Sequence, residues 1–143
     1  MKILFYVALI TIVSCHTSKP SSGNVVIEKN NISHLEGGWQ LQMLFASDNN
    51  WVKAPVLNIN LKDNTFSGNS GCNSISGKFS IKENYLGFNK NILSTKMVCA
   101  DTKANQDESS FLATMLKINN YTIIKDALEL SQGEIVLMKF KRN

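Results

Sequence analysis

The most reactive side chains in this chain belong to its three cysteines, Cys15, Cys72 and Cys99. Cys15 directly follows Ser14 and ends an apolar stretch, Ile3 to Val13, that begins after a single positive charge. That stretch is too short to cross a bilayer as a helix, which needs about 20 residues, and it has the size of the apolar part of an export signal. A cysteine after a small residue at this place resembles the bacterial lipobox, so we expect cleavage before Cys15 and acylation of that residue.

Acylation of Cys15 implies a division of the chain and a location. We expect a signal peptide over residues 1–14, the lipidated cysteine with a flexible tether over 15–35, and a folded domain over 36–143. Buried acyl chains hold a protein on a membrane at about 0.8 kcal/mol per methylene. Because His16 is not the aspartate associated with inner-membrane retention in enteric bacteria, the expected location is the cell envelope, at the outer membrane and facing the periplasm.

Cys72 and Cys99 remain as a pair, 27 positions apart. In an oxidising compartment an even number of cysteines predicts a disulfide. Two alternatives stay open: two buried free thiols that act as small apolar residues, or ligands of a metal. The metal has little support, because His16 and His34 both lie outside the patterned domain and leave no ligand set with zinc-like spacing. We therefore expect no metal and no cofactor.

Catalysis and nucleic-acid binding are both disfavoured. A cysteine nucleophile needs a base, and no histidine occurs between Leu35 and Asn143. Three acids, Asp101, Asp107 and Glu108, are interpreted as a cluster at the start of a helix, where the helix dipole favours negative charge. The net charge of +4 is dispersed, with one dense basic group in residues 139–142, whereas nucleic-acid binders cluster their lysines and arginines. We expect a monomeric protein that is not an enzyme.

Most of the domain alternates between apolar and polar residues in short segments, which is typical of antiparallel strands with one buried face. Strands are predicted around 39–45, 57–61, 65–66, 77–81, 85–88, 121–125, 127–130 and 135–140. In the first of them, Trp39, Leu41, Met43 and Phe45 are expected to share the buried face. One helix is predicted over about 106–118, because apolar residues recur there at three- and four-residue spacing: Phe111, Leu112, Met115 and Ile118.

Six to eight short strands and one helix indicate a mostly β (α+β) fold. The expected architecture is a small curled antiparallel sheet or lipocalin-like β-barrel, with the helix packed on it or capping it, because curling removes exposed sheet edges. A barrel of this size could also enclose a small apolar ligand. Such a cavity would be lined by residues of four strands, namely Leu57, Phe79, Phe88 and Leu128.

Three glycines surround Cys72 and Asn73 and predict a local backbone requirement. Gly68, Gly71 and Gly77 are close enough together that a tight turn or bulge is expected, with positive φ at one or more of them. The segment lacks the Lys-Ser/Thr ending and the strand-to-helix context of a phosphate-binding P-loop. Phosphate binding is therefore not predicted.

The segment from Phe66 to Phe79, FSGNSGCNSISGKF, resembles the signature of the META domain family, which includes the bacterial heat-shock lipoprotein HslJ. Further matching elements occur in the same order, from about Gly37 to Phe140. The residues that match are Gly38, Trp39, Gly68, Gly71, Cys72, Asn73, Gly77, Thr95, Met97 and Cys99, followed by the acidic and then apolar helix from Glu108 to Leu116.

The resemblance implies a compact, mostly β domain with lipocalin-like barrel character, and a loose link to stress tolerance and envelope maintenance. Our main hypothesis is a non-enzymatic envelope lipoprotein that contributes to envelope homeostasis by binding an envelope component. Two alternatives are a lipocalin-like binder of a small apolar ligand, and a pilot or chaperone that guides an outer-membrane protein segment along a groove or sheet edge.

Overall fold

The structure is a computed structural model that describes residues 31–45 and 50–143. The predicted signal peptide, Cys15 and most of the predicted tether lie outside the described residues. In the described part of the chain, no helix combines the length and apolar character needed to cross a membrane.

In the described residues, nine antiparallel strands and one α-helix follow a short 3-10 helix over Ile32–Leu35. The strands are β1 (Gly37–Leu44), β2 (Val56–Asn60), β3 (Thr65–Asn69), β4 (Ser74–Lys82), β5 (Tyr85–Phe88), β6 (Leu93–Ser94), β7 (Asn120–Ile124), β8 (Ala127–Gln132) and β9 (Ile135–Arg142). The helix, α1, spans Thr102–Met115 between β6 and β7.

Eight of the strands form one sheet in the order β5-β4-β3-β2-β1-β9-β8-β7, and the two-residue β6 pairs with β4 beside β5. The two ends of this sheet meet, because Leu86 N donates to Asn119 O at 3.3 Å and Tyr121 N donates to Asn84 O at 3.0 Å. The result is a nearly closed, barrel-like sheet, which confirms the predicted fold class. Closure also leaves few unpaired backbone groups at the edges.

The alternation in β2 and β4 predicts their buried faces well, whereas the second half of β1 departs from it. Trp39 and Leu41 are buried as expected, but Leu44 is buried and Phe45 is 49% exposed with a φ of 53°. The pairing of β1 with β9 shifts by one residue between Leu41 and Met43. A bulge of this kind turns the following side chains to the opposite face, so the prediction for Met43 and Phe45 was wrong.

The helix begins four residues before the predicted start and ends three residues before the predicted end. Asp101 is its N-cap, and the Asp101 side chain accepts a hydrogen bond from Lys103 N at 2.7 Å. The regularly spaced apolar residues lie only in the second half of α1. The first half is polar, so this spacing could not reveal where the helix begins. Phe111 and Met115 are fully buried and pack α1 onto the sheet.

The interior is filled by one continuous core of aliphatic and aromatic side chains. Phe66 and Phe88 meet edge to face with their ring centroids 5.1 Å apart, and Phe111 and Phe140 do so at 6.5 Å. The four residues predicted to line an apolar cavity, Leu57, Phe79, Phe88 and Leu128, are members of this packed core. All four side chains are buried within it.

Tyr121 gives the domain a pH-sensitive core residue. Its side chain is buried in β7, and burial raises the pKa of the Tyr121 phenol above the ordinary value of 10.0. When folding raises the pKa of a group, the stabilisation is complete below the pKa of the unfolded state. It is lost as the pH rises through the pKa of the folded state. We therefore expect the free energy of unfolding to fall between about pH 9 and pH 11 less steeply in Tyr121→Phe than in the parent protein. Urea unfolding across this range measures both slopes, and equal slopes would contradict the assignment.

Candidate functional site

Gly71, the cysteine pair and α1 converge at one end of the barrel. Residues 70–73 connect β3 to β4 there, and residues 95–101 connect β6 to α1. Gly71 has a φ of 104°, and a Cβ at this residue would lie 2.9 Å from Lys53 O. Both the left-handed backbone and the close approach of the 51–55 segment require glycine at this position. The prediction of positive φ in this loop is confirmed at Gly71.

The other two glycines of the motif serve close packing instead of a turn. A Cβ at Gly68 would lie 1.9 Å from Val56 O in the neighbouring strand, and a Cβ at Gly77 would lie 2.8 Å from the Phe66 ring. Neither distance is available to a side-chain carbon, so β2, β3 and β4 approach each other through these positions. Sequence spacing alone could not separate this role from a turn.

A disulfide joins the two connecting segments. The Cys72 and Cys99 sulfurs are bonded at 2.00 Å, with their Cα atoms 6.0 Å apart. This pairing is the predicted one, and it leaves neither sulfur as a free thiol. Asn105 of α1 holds the backbone of Cys99 as well, because its Nδ2 donates to Cys99 O at 3.2 Å and its Oδ1 accepts from Cys99 N at 3.3 Å.

Asn73 is the centre of the hydrogen bonds between the segments, and it is only 2% exposed. Its Nδ2 donates to Met97 O at 3.1 Å and to Glu108 Oε2 at 2.7 Å. Its Oδ1 accepts from Met97 N and from Thr95 Oγ1, both at 2.7 Å. A side-chain amide offers two donor and two acceptor positions, so every one of them is used. The motif residues Thr95 and Met97 are therefore held through Asn73.

Glu108 contributes a buried carboxylate to the same network, which corrects its predicted role. It lies inside α1, not in the first turn, and its side chain points at the barrel end with 9% exposure. Ser70 Oγ hydrogen-bonds Glu108 Oε1, while Cys99 Sγ lies 3.9 Å from Oε2. The helix face repeats at three and four residues, so Glu108 shares a face with Phe111 and Met115. That spacing was the signal by which sequence reasoning could have found this residue.

This hydrogen-bond network holds the two connecting segments together. Ser70 is fully buried and its hydroxyl is engaged by Glu108, so it cannot reach a substrate. Cys72, Cys99 and Glu108 place their possible ligand atoms within 4.8 Å of one another. The two sulfurs are bonded to each other, however, which leaves one carboxylate as the ligand. One carboxylate is too few for a structural metal site, which normally has four ligands.

A second candidate site is an open groove on the outside of the sheet, with a volume of about 900 Å³. Its floor is crossed by a row of residues that are paired strand to strand. Gly38 pairs with Asn58, Asn58 with Ser67, Ser67 with Ser76, and Ser76 with Leu93. We call the groove defined by this row, Gly38, Asn58, Ser67, Ser76 and Leu93, the outer groove. Sequence reasoning did not predict it, because register between distant strands is a property of the folded sheet.

Comparison with known proteins identifies the family. A family model for the META domain matches residues 31–143. Among solved structures, the NMR structure of a protein from Burkholderia xenovorans is similar, with a TM-score of 0.67 and 17% sequence identity over 92% of this chain and 99% of that chain. A crystal structure of a DUF4847-family protein from Bacteroides vulgatus has a TM-score of 0.53 and 15% identity, over 76% of this chain and 93% of the other.

At these identities the two structures support the fold alone. Among curated proteins, none matches this sequence. The family match covers the whole described barrel, including the cysteine pair, the motif glycines and Glu108. The chain therefore belongs to the META domain family, as the signature around Cys72 and Asn73 predicted.

Proposed function

We propose that this chain is a non-enzymatic lipoprotein of the cell envelope whose META domain binds an envelope component through the outer groove. Cys15 anchors it by its acyl chains, most simply at the outer membrane facing the periplasm, and it acts as a monomer in envelope homeostasis or stress tolerance. The observation that supports binding is the outer groove itself. Its volume of about 900 Å³ lies within the range of about 300 to 1,000 Å³ that is usual for ligand sites.

The buried network supports a binding role over a catalytic one. Catalysis needs a nucleophile or a base that a substrate can touch. At the end of the barrel that carries the disulfide, Ser70 and Asn73 are buried, and Glu108 is hydrogen-bonded to both of them. Their geometry stabilises the two connecting segments, and it provides no reacting atom at the surface.

The packed interior favours the outer groove over the lipocalin-like alternative. Leu57 and Leu128 are 0% and 1% exposed and pack in the continuous core. An apolar ligand would have to displace these side chains, and cores are packed nearly as tightly as organic crystals. A binding site on the outside needs no such rearrangement.

Cross-linking from the outer groove tests this proposal. A photoreactive benzoylphenylalanine at Ser67, in the full chain produced in its native cell, is expected to cross-link one reproducible component of the membrane fraction. The matched control is the same group at Ser80, an exposed serine of β4 that does not line the outer groove. Equal cross-linking from both positions, or none from Ser67, would contradict a specific site in the outer groove.

Intact mass tests the anchor separately. The protein from the native membrane fraction is expected to have the mass of residues 15–143 plus acyl groups. An unacylated mass in the soluble fraction would contradict the lipoprotein assignment, whatever the outcome of cross-linking.

A further inference from the structure

We propose that the ligand of the outer groove is a neutral, polyhydroxylated chain, that is, a glycan strand without charged groups. This inference rests on the proposed function and deepens it, because it assigns a chemical class to the component that the outer groove would bind. Four observations support it: the order of the side chains across the strands, their donor and acceptor chemistry, their charge, and an apolar contact at one end.

The row runs across five strands, in the order β1, β2, β3, β4 and β6. Neighbouring strands lie about 4.8 Å apart, so a chain that crosses the strands meets a new side chain of the row at each step. Two residues of the row, Ser67 and Ser76, have short side chains, and Gly38 has none, with the Asn143 side chain lying beside it. An extended ligand can therefore lie flat on the sheet and contact several positions at once.

The polar members of the row are free to bind. In the described part of the chain, no hydrogen bond involves the side chains of Asn58, Ser67 or Ser76. The same holds for Asn91, in the wall of the outer groove. Amides and hydroxyls both donate and accept, as sugar hydroxyls also do. A side chain that does both can bind a hydroxyl in either orientation, which matches a ligand made of many neutral hydroxyl groups.

Charge is sparse in the outer groove. β2 and β3 contain no charged residue, although 18% of the chain is charged. Glu36 and Lys78 line the margin, and the Glu36 carboxylate already accepts a hydrogen bond from Leu61 N at 2.6 Å. A polyanion is held mainly by clustered lysines and arginines, and the outer groove has one lysine. These features favour a neutral ligand over a nucleic acid or an anionic polysaccharide.

Leu93 adds an apolar contact at the end of the row. Its side chain is 69% exposed, and it is paired beside Ser76. A pyranose ring has an apolar face of C–H groups as well as its hydroxyls. Leu93 can cover such a face while Ser76, Ser67 and Asn58 bind the hydroxyls, so both kinds of sugar surface find a partner in one row.

Calorimetric titration of the purified full chain tests this inference. The probes are three neutral hexasaccharides, chitohexaose, maltohexaose and cellohexaose. We expect saturable binding of at least one of them, and affinity about tenfold weaker for the double variant Asn58→Ala/Ser67→Ala, since two neutral hydrogen bonds are lost. Ser80→Ala, the control on the same strand as Ser76, is expected to bind as the parent protein does. Thermal unfolding of each variant verifies that these exposed substitutions leave the fold intact.

Other outcomes overturn the inference in distinguishable ways. Tighter binding of a sulfated heparin hexasaccharide, or of a ten-residue peptide of serine and asparagine, would assign the outer groove to a polyanion or to a protein segment. Cross-linking of a protein from Ser67, without binding of any hexasaccharide, would overturn the glycan assignment and leave the proposed function standing. Absence of both cross-linking and binding would overturn the two together.

Discussion

Replacing both Cys72 and Cys99 by alanine is expected to lower the free energy of unfolding by about 3 to 4 kcal/mol. The disulfide closes a loop with a sequence separation of 27 residues, and removing it returns conformational entropy to the unfolded chain. β4, β5 and β6 all lie within this loop. Urea unfolding of the double variant against the oxidised parent measures the difference.

Two comparisons separate this effect from a packing defect. The parent protein after complete reduction is expected to lose nearly the same stability as the double variant. Val98→Ala changes the 91% exposed neighbour of Cys99 and is expected to alter stability by less than about 0.5 kcal/mol. Unfolding of the double variant at the same urea concentration as the oxidised parent would show that the bridge does not constrain the chain.

The second large effect is expected from Asn73→Asp, which should destabilise the domain by about 2 to 4 kcal/mol at neutral pH. In the parent protein, Asn73 Nδ2 donates to Glu108 Oε2 at 2.7 Å and to Met97 O at 3.1 Å. In the variant an oxygen replaces that nitrogen and faces two acceptors. One of them is a carboxylate, so two negative charges would be buried together.

The pH dependence of the stability of Asn73→Asp provides a second test. Two carboxylates this close repel each other when both are ionised, and one shared proton removes that repulsion. The variant is therefore expected to recover stability as the pH falls toward about 5 and to lose it again as the pH rises. Urea unfolding at about pH 5 and about pH 7.5 gives the two values. A deficit that does not shrink at the lower pH would show that Asn73 does not face Glu108.

Asn60→Asp is the matched control for this substitution. Asn60 Oδ1 accepts hydrogen bonds from Lys62 N at 2.9 Å and Asp63 N at 3.3 Å. An aspartate oxygen accepts the same two bonds, so the identical chemical change is expected to cost less than about 0.5 kcal/mol here. The contrast between the two variants isolates the use of the Asn73 amide as a donor.

Sequence patterns predicted the parts of this fold that depend on local spacing. The alternation of Leu57 and Ile59 with Asn58 and Asn60 gave the correct buried face of β2. The start of α1 was missed because it depends on a single N-cap, Asp101, in front of a polar turn. Helix caps are specified by one side chain, whereas a helix face is specified by a repeating pattern.

The two candidate sites differ in how much of each could be predicted from the sequence. The glycines and cysteines around Asn73 predicted a structured loop there, but Glu108 was interpreted as part of an acidic cluster at the helix start, because its partners lie 35 and 38 residues away. The outer groove depends entirely on the pairing register of five strands. Small polar residues such as Ser67 and Ser76 have no pattern that separates them from ordinary solvent-facing positions until that register is known.

The clamp formed by Arg142 holds the start and the end of the described domain together at one end of the barrel. Its guanidinium lies 4.2 Å over the Trp39 ring, Nη1 donates to Glu36 O at 3.0 Å, and Nη2 donates to His34 O. Asn143 N also donates to Gly38 O at 3.0 Å, so the first and last described residues leave from the same end of the barrel. Under the proposed anchoring at Cys15, tension would therefore enter the described domain at that end. Under this anchoring, the disulfide loops, which follow β3 and β6 at the opposite end of the sheet, would lie farther from the bilayer.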